Sequence, residues 1–108
     1  MTENISACEA LIQAECAMGT EKFGKFHSRH EGLGVIEEEV WELDLEHHRL
    51  NDLTNELRRT VFMNNYRRAS AVAEAVYVTA RDAMVEAMQV AAMAQKFLGT
   101  FGVQEDKS

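Results

Sequence analysis

Proline, which interrupts helices more strongly than any other residue, is absent from all 108 residues of this chain. Aromatic residues make up only 7% of the sequence, and good helix formers such as alanine, glutamate, methionine and leucine are frequent. Apolar residues also recur at helical spacing, for example at Ile36, Val40 and Leu43. The sequence therefore predicts an all-α protein, and its length suggests one domain.

Two capping boxes mark the expected starts of the first two helices. In a capping box, each of two side chains satisfies a free backbone N–H group of the other residue. Ser6 and Glu9 fit this pattern in a first helix that is expected to start near Thr2 or Ser6 and to fray around residues 19–24, where glycine disfavours it. Ser28 and Glu31 fit the pattern at the start of the second helix. Because of this fraying, the first helix is expected to be shorter than the second.

Asn64–Asn65 is the best candidate for a turn after the second helix, because asparagine tolerates left-handed backbone conformations. A third helix is expected from about Arg67 to a natural stop at Gly99. These elements predict a short N-terminal helix followed by a long antiparallel helical hairpin. Residues 1–98 would form a single helical domain, and residues 99–108 would form a disordered tail.

The formal net charge of −7 opposes binding to nucleic-acid phosphates, so no nucleic-acid partner is expected. Cys8 and Cys16 would lie about 12 Å apart on one helix, too far for a disulfide, which favours reduced cysteines and a cytoplasmic protein. The N-terminus shows no signal-peptide pattern. The longest apolar run, Val90–Ala94, is far too short to span a membrane, so no membrane partner is expected.

Four carboxylates crowd into the six residues from Glu37 to Glu42. Glu38 and Glu39 share a helix face with Glu42. Like charges at this spacing destabilise a helix by roughly 0.2–0.5 kcal/mol per pair. A divalent cation would offset that cost, and a solvated acidic face is the alternative. Trp41, inside this stretch, is expected in the core.

The predicted hairpin brings a further carboxylate to the level of this acidic stretch. Glu39 and Glu42 lie about 24 residues before the middle of the turn, and the positions as far beyond it are near 87–90. Glu86 and Gln89 occupy one helix face there. Helix bundles build metal sites in this way, from carboxylates on facing helices.

Oxygen ligands on several helices suit Mg²⁺ or Mn²⁺, which keep several waters and bind substrate phosphates. They do not suit zinc, which prefers cysteine or histidine. Asp82 lies one turn before Glu86 on the same side of the helix. His27 and His30 flank the start of the second helix, where they could bind an anionic substrate group. Packing in the capping region is the alternative for both histidines.

The stretch 38–42, EEVWE, resembles the E-E-x-x-E motif of the MazG-like, all-α nucleoside triphosphate pyrophosphohydrolases. That superfamily carries E-x-x-D on the next helix. The stretches 26–32 and 86–94 resemble a small phage and bacterial branch of MazG-like proteins. The resemblance covers most of residues 20–98.

The resemblance implies that Glu39, Glu42 and Glu86 are metal ligands and that Glu38 lies close to the metal, so that these four glutamates form the catalytic set. Gln89 stands at the fourth position, where the family has aspartate. An amide oxygen can coordinate Mg²⁺ but adds no negative charge. Asp82 could compensate as a further ligand, although its position does not match the motif.

The implied reaction is hydrolysis of a nucleoside triphosphate to the monophosphate and pyrophosphate, with Mg²⁺ or Mn²⁺ as cofactor. The family's usual assembly implies a homodimer or homotetramer in which helices of different subunits complete a bundle. Two alternatives remain open. One is a MazG-like protein that binds a nucleotide or a metal and turns over poorly or not at all, and the other is a helical interaction or scaffold protein.

Overall fold

The structure, a computed structural model, describes residues 2–102. Helix α1 spans Thr2–Phe23, α2 spans Arg29–Phe62 and α3 spans Tyr66–Phe101. The predicted all-α class is confirmed, with three helices and no strand in the described range. Within that range, no helix combines the length and the apolar character needed to cross a membrane.

Helix α1 is longer than the sequence suggested. It continues through Gly19 to Phe23 instead of fraying. The next residue, Gly24, has a φ of 77°, and its N–H group donates to the Thr20 carbonyl over 2.8 Å. Glycine adopts this left-handed conformation at little cost, so Gly24 caps the helix.

The predicted capping box at the start of α2 is present with one variation. The Glu31 N–H group donates to Ser28 Oγ over 3.1 Å. The Glu31 carboxylate accepts a 3.0 Å hydrogen bond from the N–H group of His27, one residue before the expected donor. This backbone hydrogen bond, followed by that of the His27 side chain, lowers the pKa of Glu31.

Asn64 and Asn65 form the turn between α2 and α3, as predicted. Asn64 has a φ of 57°. Asn65 is the N-cap of α3, because its Oδ1 accepts a 3.2 Å hydrogen bond from the Arg68 N–H group. Asparagine adopts a positive φ and caps helix N-termini more readily than most residues do. The two consecutive asparagines therefore favour a turn at this place.

The helix stop expected at Gly99 is wrong. Helix α3 continues through Gly99 to Phe101, and Gly102, with a φ of 71°, donates its N–H group to the Leu98 carbonyl over 2.7 Å. The Phe101 ring packs edge-on against the ring of Phe97 with 5.0 Å between centroids, so packing outweighs the poor helix propensity of Gly99. The disorder expected for residues 99–108 does not apply to this helical turn, and residues 103–108 lie outside the described residues.

The chain divides into two compact units. One consists of Met1–Val40 and Ala87–Ser108, and the other consists of Trp41–Glu86. Helices α2 and α3 each contribute residues to both units, whereas α1 belongs to the first alone.

The interior of the first unit depends on close packing at Gly32. A Cβ atom at Gly32 would lie 2.6 Å from the ring of Phe97 and 3.1 Å from the ring of Phe26. Phe26 and Ala92 are buried, and Lys96 is buried with them. The Lys96 ammonium lies 4.5 Å from the centre of the Phe26 ring, a cation–π contact. Glycine at position 32 therefore lets two aromatic rings reach the backbone of α2.

The second unit buries small side chains. Ala69 and Val72 of α3 and Thr60 of α2 are buried. The Thr60 hydroxyl donates to a backbone carbonyl of its own helix over 2.9 Å, so its burial leaves no donor unsatisfied. Near the turn, Arg68 Nε donates to a Glu56 carboxylate oxygen over 3.0 Å and links α3 to α2.

Large apolar side chains are exposed in both units. No large side chain of residues 2–102 is completely buried. Trp41, expected in the core, is 63% exposed, and Tyr77 and Met84 of the same unit are exposed to a similar degree. In the first unit, Leu11 and Met18 of α1 are exposed as well. Large apolar side chains of both units therefore remain on the surface of a single chain.

Gly32→Ala should destabilise the protein, because the added methyl group must displace the Phe97 ring. Overpacking of this kind costs about 1–3 kcal/mol, which outweighs the gain of about 0.5–1 kcal/mol from replacing a helical glycine with alanine. Gly34→Ala is the matched control, since nothing beyond the adjacent residues and backbone of its own helix lies within 4 Å of an added Cβ, and it should be stabilising. Urea unfolding followed by circular dichroism measures both, and equal effects of the two substitutions would contradict the packing at Gly32.

The lowered pKa of Glu31 predicts a loss of stability in acid. Folding lowers this pKa from its ordinary value of 4.5, so the carboxylate stabilises the fold above that pH, and its contribution disappears as the pH falls through the lowered pKa. Glu31→Gln should reduce stability at pH 7 and flatten the decline below about pH 4.5. Thermal unfolding at pH 2–7 tests this, with Glu21→Gln on the exposed surface of α1 as control. Parallel pH profiles for Glu31→Gln and the wild type would refute it.

Candidate metal centre

Glu42 of α2 and Glu86 of α3 face each other within the second unit. Each places a carboxylate oxygen within 4.8 Å of the other, and both side chains are partly buried. Glu42 lies 22 residues before Asn64 and Glu86 lies 22 residues after it, so an antiparallel run about this turn brings them level.

Glu39 joins this pair from the preceding turn of α2. It is also partly buried, and its carboxylate oxygen lies within 4.8 Å of that of Glu42. The three residues Glu39, Glu42 and Glu86 are called the glutamate cluster below. Their neighbours Glu37 and Glu38 are exposed, so only part of the acidic stretch is turned away from solvent.

The glutamate cluster carries an electrostatic cost. The Oε2 atom of Glu86 is shielded from solvent, and removing a carboxylate oxygen from water is unfavourable unless another group compensates. Nearby like charges repel one another, and the repulsion grows as water is excluded. A cation bound by the cluster would reduce both costs.

The donor atoms of the cluster fit a hard divalent cation. All three side chains offer carboxylate oxygens, the ligand type that Mg²⁺ and Mn²⁺ prefer. Mg²⁺ holds its ligands at about 2.1 Å in an octahedron, which puts ligand oxygens about 3 Å apart when adjacent and about 4 Å apart when opposite. The oxygens of the cluster lie within 4.8 Å of one another, a separation compatible with such a shell.

Glu38 and Asp82, two of the predicted site residues, lie outside the glutamate cluster. Glu38 is exposed, because successive helical residues are rotated by about 100° and its neighbour Glu39 is the one turned inward. Asp82 is exposed too, and its Oδ1 lies 3.4 Å from Nη2 of Arg81. The structure therefore does not bring Asp82 to the position where it would compensate for an amide at position 89.

His27 and His30 are also separate from the cluster. His27 is 87% exposed, and its Nδ1 lies 3.3 Å from the Glu31 carboxylate, as capping-region packing would place it. His30 lines a shallow, largely apolar groove of about 520 Å³ in the first unit, together with Leu33 and Phe97. Along α2, His30 lies nine residues, or about 13 Å, before Glu39.

The side chain of Gln89 is hydrogen-bonded to Glu15, a residue that the sequence did not single out. Its Nε2 donates a 2.7 Å hydrogen bond to Glu15 Oε1 of α1, and both residues are partly buried in the first unit. The signal for Glu15 was its place on α1, where it shares a partly buried face with Ile12 and Gly19. A partly buried carboxylate needs a hydrogen-bond donor, and such a face indicates that the donor lies on another helix.

Comparison with known proteins gave no relative. No model of a protein family, no curated protein and no solved structure matches this chain. The candidate site therefore stands on its own geometry and on the motif in the sequence.

Glu42→Gln should stabilise the metal-free protein. The substitution keeps the size of the side chain and removes the carboxylate that lies close to both other members of the cluster. Relief of the two like-charge helical pairs that Glu42 forms with Glu38 and Glu39 is worth about 0.4–1 kcal/mol, or roughly 2–8 °C in melting temperature for a domain of this size. Melting in the presence of EDTA measures the change.

Glu37→Gln is the matched control for this measurement, because it removes a charge from the exposed side of the same helix. Glu37 has no carboxylate three or four residues away on the helix, so this substitution should leave the melting temperature close to that of the wild type. A lower melting temperature for Glu42→Gln than for Glu37→Gln would show that Glu42 is not under repulsion.

Proposed function

We propose that this protein is a metal-dependent nucleoside triphosphate pyrophosphohydrolase that releases a nucleoside monophosphate and pyrophosphate. Glu39, Glu42 and Glu86 would hold Mg²⁺, or Mn²⁺ in its place. The observation that carries the proposal is the glutamate cluster, in which partly buried carboxylates of two helices approach within 4.8 Å. The resemblance of residues 38–42 to the E-E-x-x-E motif of MazG-like enzymes supplies the reaction class.

When bound, Mg²⁺ supplies bridging contacts to phosphate oxygens, charge neutralisation and activation of a water molecule. Because of the carboxylates, substrate binding would depend on a metal ion that accompanies the nucleotide. A triphosphate is a polyanion, and the cluster belongs to a protein of net charge −7, so the unaccompanied nucleotide is repelled. The side chains of Glu42 and Glu86 therefore select the nucleotide in its metal complex.

We further propose that the active form is a homodimer or homotetramer in which the hairpin of α2 and α3 pairs with that of another copy. Support comes from the exposed Trp41, Tyr77 and Met84 of the second unit and from the absence of a completely buried large side chain among residues 2–102. Apolar surface of this kind is removed from water when a bundle is completed by a partner.

A second candidate function is binding of a nucleotide or a metal without efficient turnover. Gln89 favours this candidate, because it offers an amide where the MazG-like motif has aspartate and because Glu15 occupies its N–H group. A site with one ionised ligand fewer holds a divalent cation less tightly.

A pyrophosphate-release screen over the common ribo- and deoxyribonucleoside triphosphates with Mn²⁺ tests the proposed reaction. We expect release of pyrophosphate and the matching monophosphate from at least one nucleotide. Glu42→Gln should lower the rate by more than about 100-fold, because loss of a metal ligand exceeds the 10- to 100-fold effect typical of residues that only support one. Glu37→Gln, the exposed control, should keep the wild-type rate.

Three other outcomes of the screen would decide against the proposal. Release that survives Glu42→Gln would refute the assigned site. Release of orthophosphate in place of pyrophosphate would refute the reaction. Stabilisation by Mn²⁺ and nucleotide without any release would establish the second candidate instead.

A further inference from the structure

The outer side of α1 carries a row of apolar side chains that is exposed in the single chain. Leu11, Ala14 and Met18 recur at steps of three and four residues and are all exposed, and this spacing places side chains in one row along a helix. A different side of α1 packs against α3, where a Cβ atom at Gly19 would lie 3.7 Å from Met93 Cε. The row, called the α1 ridge below, therefore faces solvent.

A second uncovered row runs along α2 in the same unit. Arg29, Leu33, Ile36 and Val40 follow one another at steps of four, three and four residues, so they share one face of the helix. The first three line the shallow apolar groove described above, and Leu33 and Val40 are exposed. This row, called the α2 stripe below, is therefore apolar surface with a cation at one end.

The ridge and the stripe match in length and spacing when the two helices run antiparallel. Counted backwards from Glu21, which is exposed three residues after Met18, the ridge has steps of three, four and three residues. At 1.5 Å per residue, no position of the ridge is out of level with its counterpart on the stripe by more than about 1.5 Å. The level pairs are Glu21 with Arg29, Met18 with Leu33, Ala14 with Ile36, and Leu11 with Val40.

These pairs are compatible in charge and in size. The carboxylate at the end of the ridge meets a guanidinium, and this is a favourable ion pair. The small Ala14 side chain faces the larger Ile36, which allows the helices to approach closely. The Arg29 guanidinium lies 4.8 Å from the centre of the Phe101 ring, a contact that holds it at the end of the groove. An apolar centre with charges at its rim is the usual make-up of a protein interface.

We propose that α1 of a second copy of this chain docks antiparallel along the α2 stripe, with Met18 of one copy against Leu33 of the other. The occupant is a second copy because a sequence in the same chain supplies four consecutive matching positions. The contact lies within the first unit, is separate from the hairpin pairing proposed above and needs no metal ion. Every copy presents both the ridge and the stripe, so the contact forms twice in a two-fold symmetric dimer.

Sedimentation equilibrium of the full chain tests the apolar part of this contact. Met18→Gln preserves the length of the side chain and makes its end polar, so it should raise the Kd of self-association at least about 10-fold, as expected of a central interface residue. Ile5→Gln is the matched control, because Ile5 is exposed on α1 but lies outside the ridge, and it should leave the Kd unchanged.

Three results of this measurement would overturn the contact. One is a Kd that Met18→Gln leaves at the wild-type value. Another is a wild-type chain that sediments as a monomer at high micromolar concentration. The third is self-association that depends on Trp41 or Tyr77 but not on Met18, since it would belong to the hairpin pairing alone.

Exchange of the paired charges tests whether the contact joins different copies. Glu21→Arg and Arg29→Glu each place like charges opposite each other between identical copies, so each variant alone should associate more weakly than the wild type. An equimolar mixture of the two variants brings opposite charges together at both contacts of a mixed dimer. The mixture should therefore recover the wild-type Kd, which also shows that both variants are folded. A mixture that associates no more tightly than either variant alone would overturn the proposal.

Disulfide trapping tests the antiparallel register. One copy carries Met18→Cys and the other Leu33→Cys, with Cys8→Ala and Cys16→Ala in both, and the two should cross-link on oxidation because a disulfide needs Cα atoms within about 7 Å. Val40→Cys in place of Leu33→Cys moves the target about 10 Å along α2 and should give no mixed product. Failure of the first pair to cross-link, or equal products from both pairs, would overturn the register.

Discussion

The repulsion among Glu39, Glu42 and Glu86 is the constraint to which the other features of this site respond. Carboxylates that are partly buried and within 4.8 Å of their neighbours repel one another, and a bound cation would reduce that repulsion. The turn at Asn64 imposes this arrangement, because it sets which residues of α2 and α3 lie level. A one-residue change of register would rotate a carboxylate by about 100° and disperse the cluster.

Counting residues from the turn predicts that Glu86 and Gln89 lie opposite Glu39 and Glu42, because helical rise is regular and asparagine favours a turn. The capping box at Ser28 was predictable because its interactions lie within four residues. Interactions between residues that are close in sequence can therefore be predicted from the sequence.

Features that depend on contacts between distant residues were not predictable. Gly99 is a poor helix former, yet packing of Phe101 against Phe97 carries α3 past it. Trp41 has the character of a core residue but is 63% exposed, since no second layer covers it in a single chain. Glu15 and Gln89 are 74 residues apart in sequence, and only the folded chain shows that they are partners.

A crystal structure grown with Mn²⁺ and collected at a wavelength where manganese scatters anomalously tests the central claim most directly. The account predicts an anomalous peak within about 2.2 Å of carboxylate oxygens of Glu42 and Glu86, with Glu39 as a further ligand. Manganese bound elsewhere, or a glutamate cluster that stays empty at millimolar Mn²⁺, would contradict it.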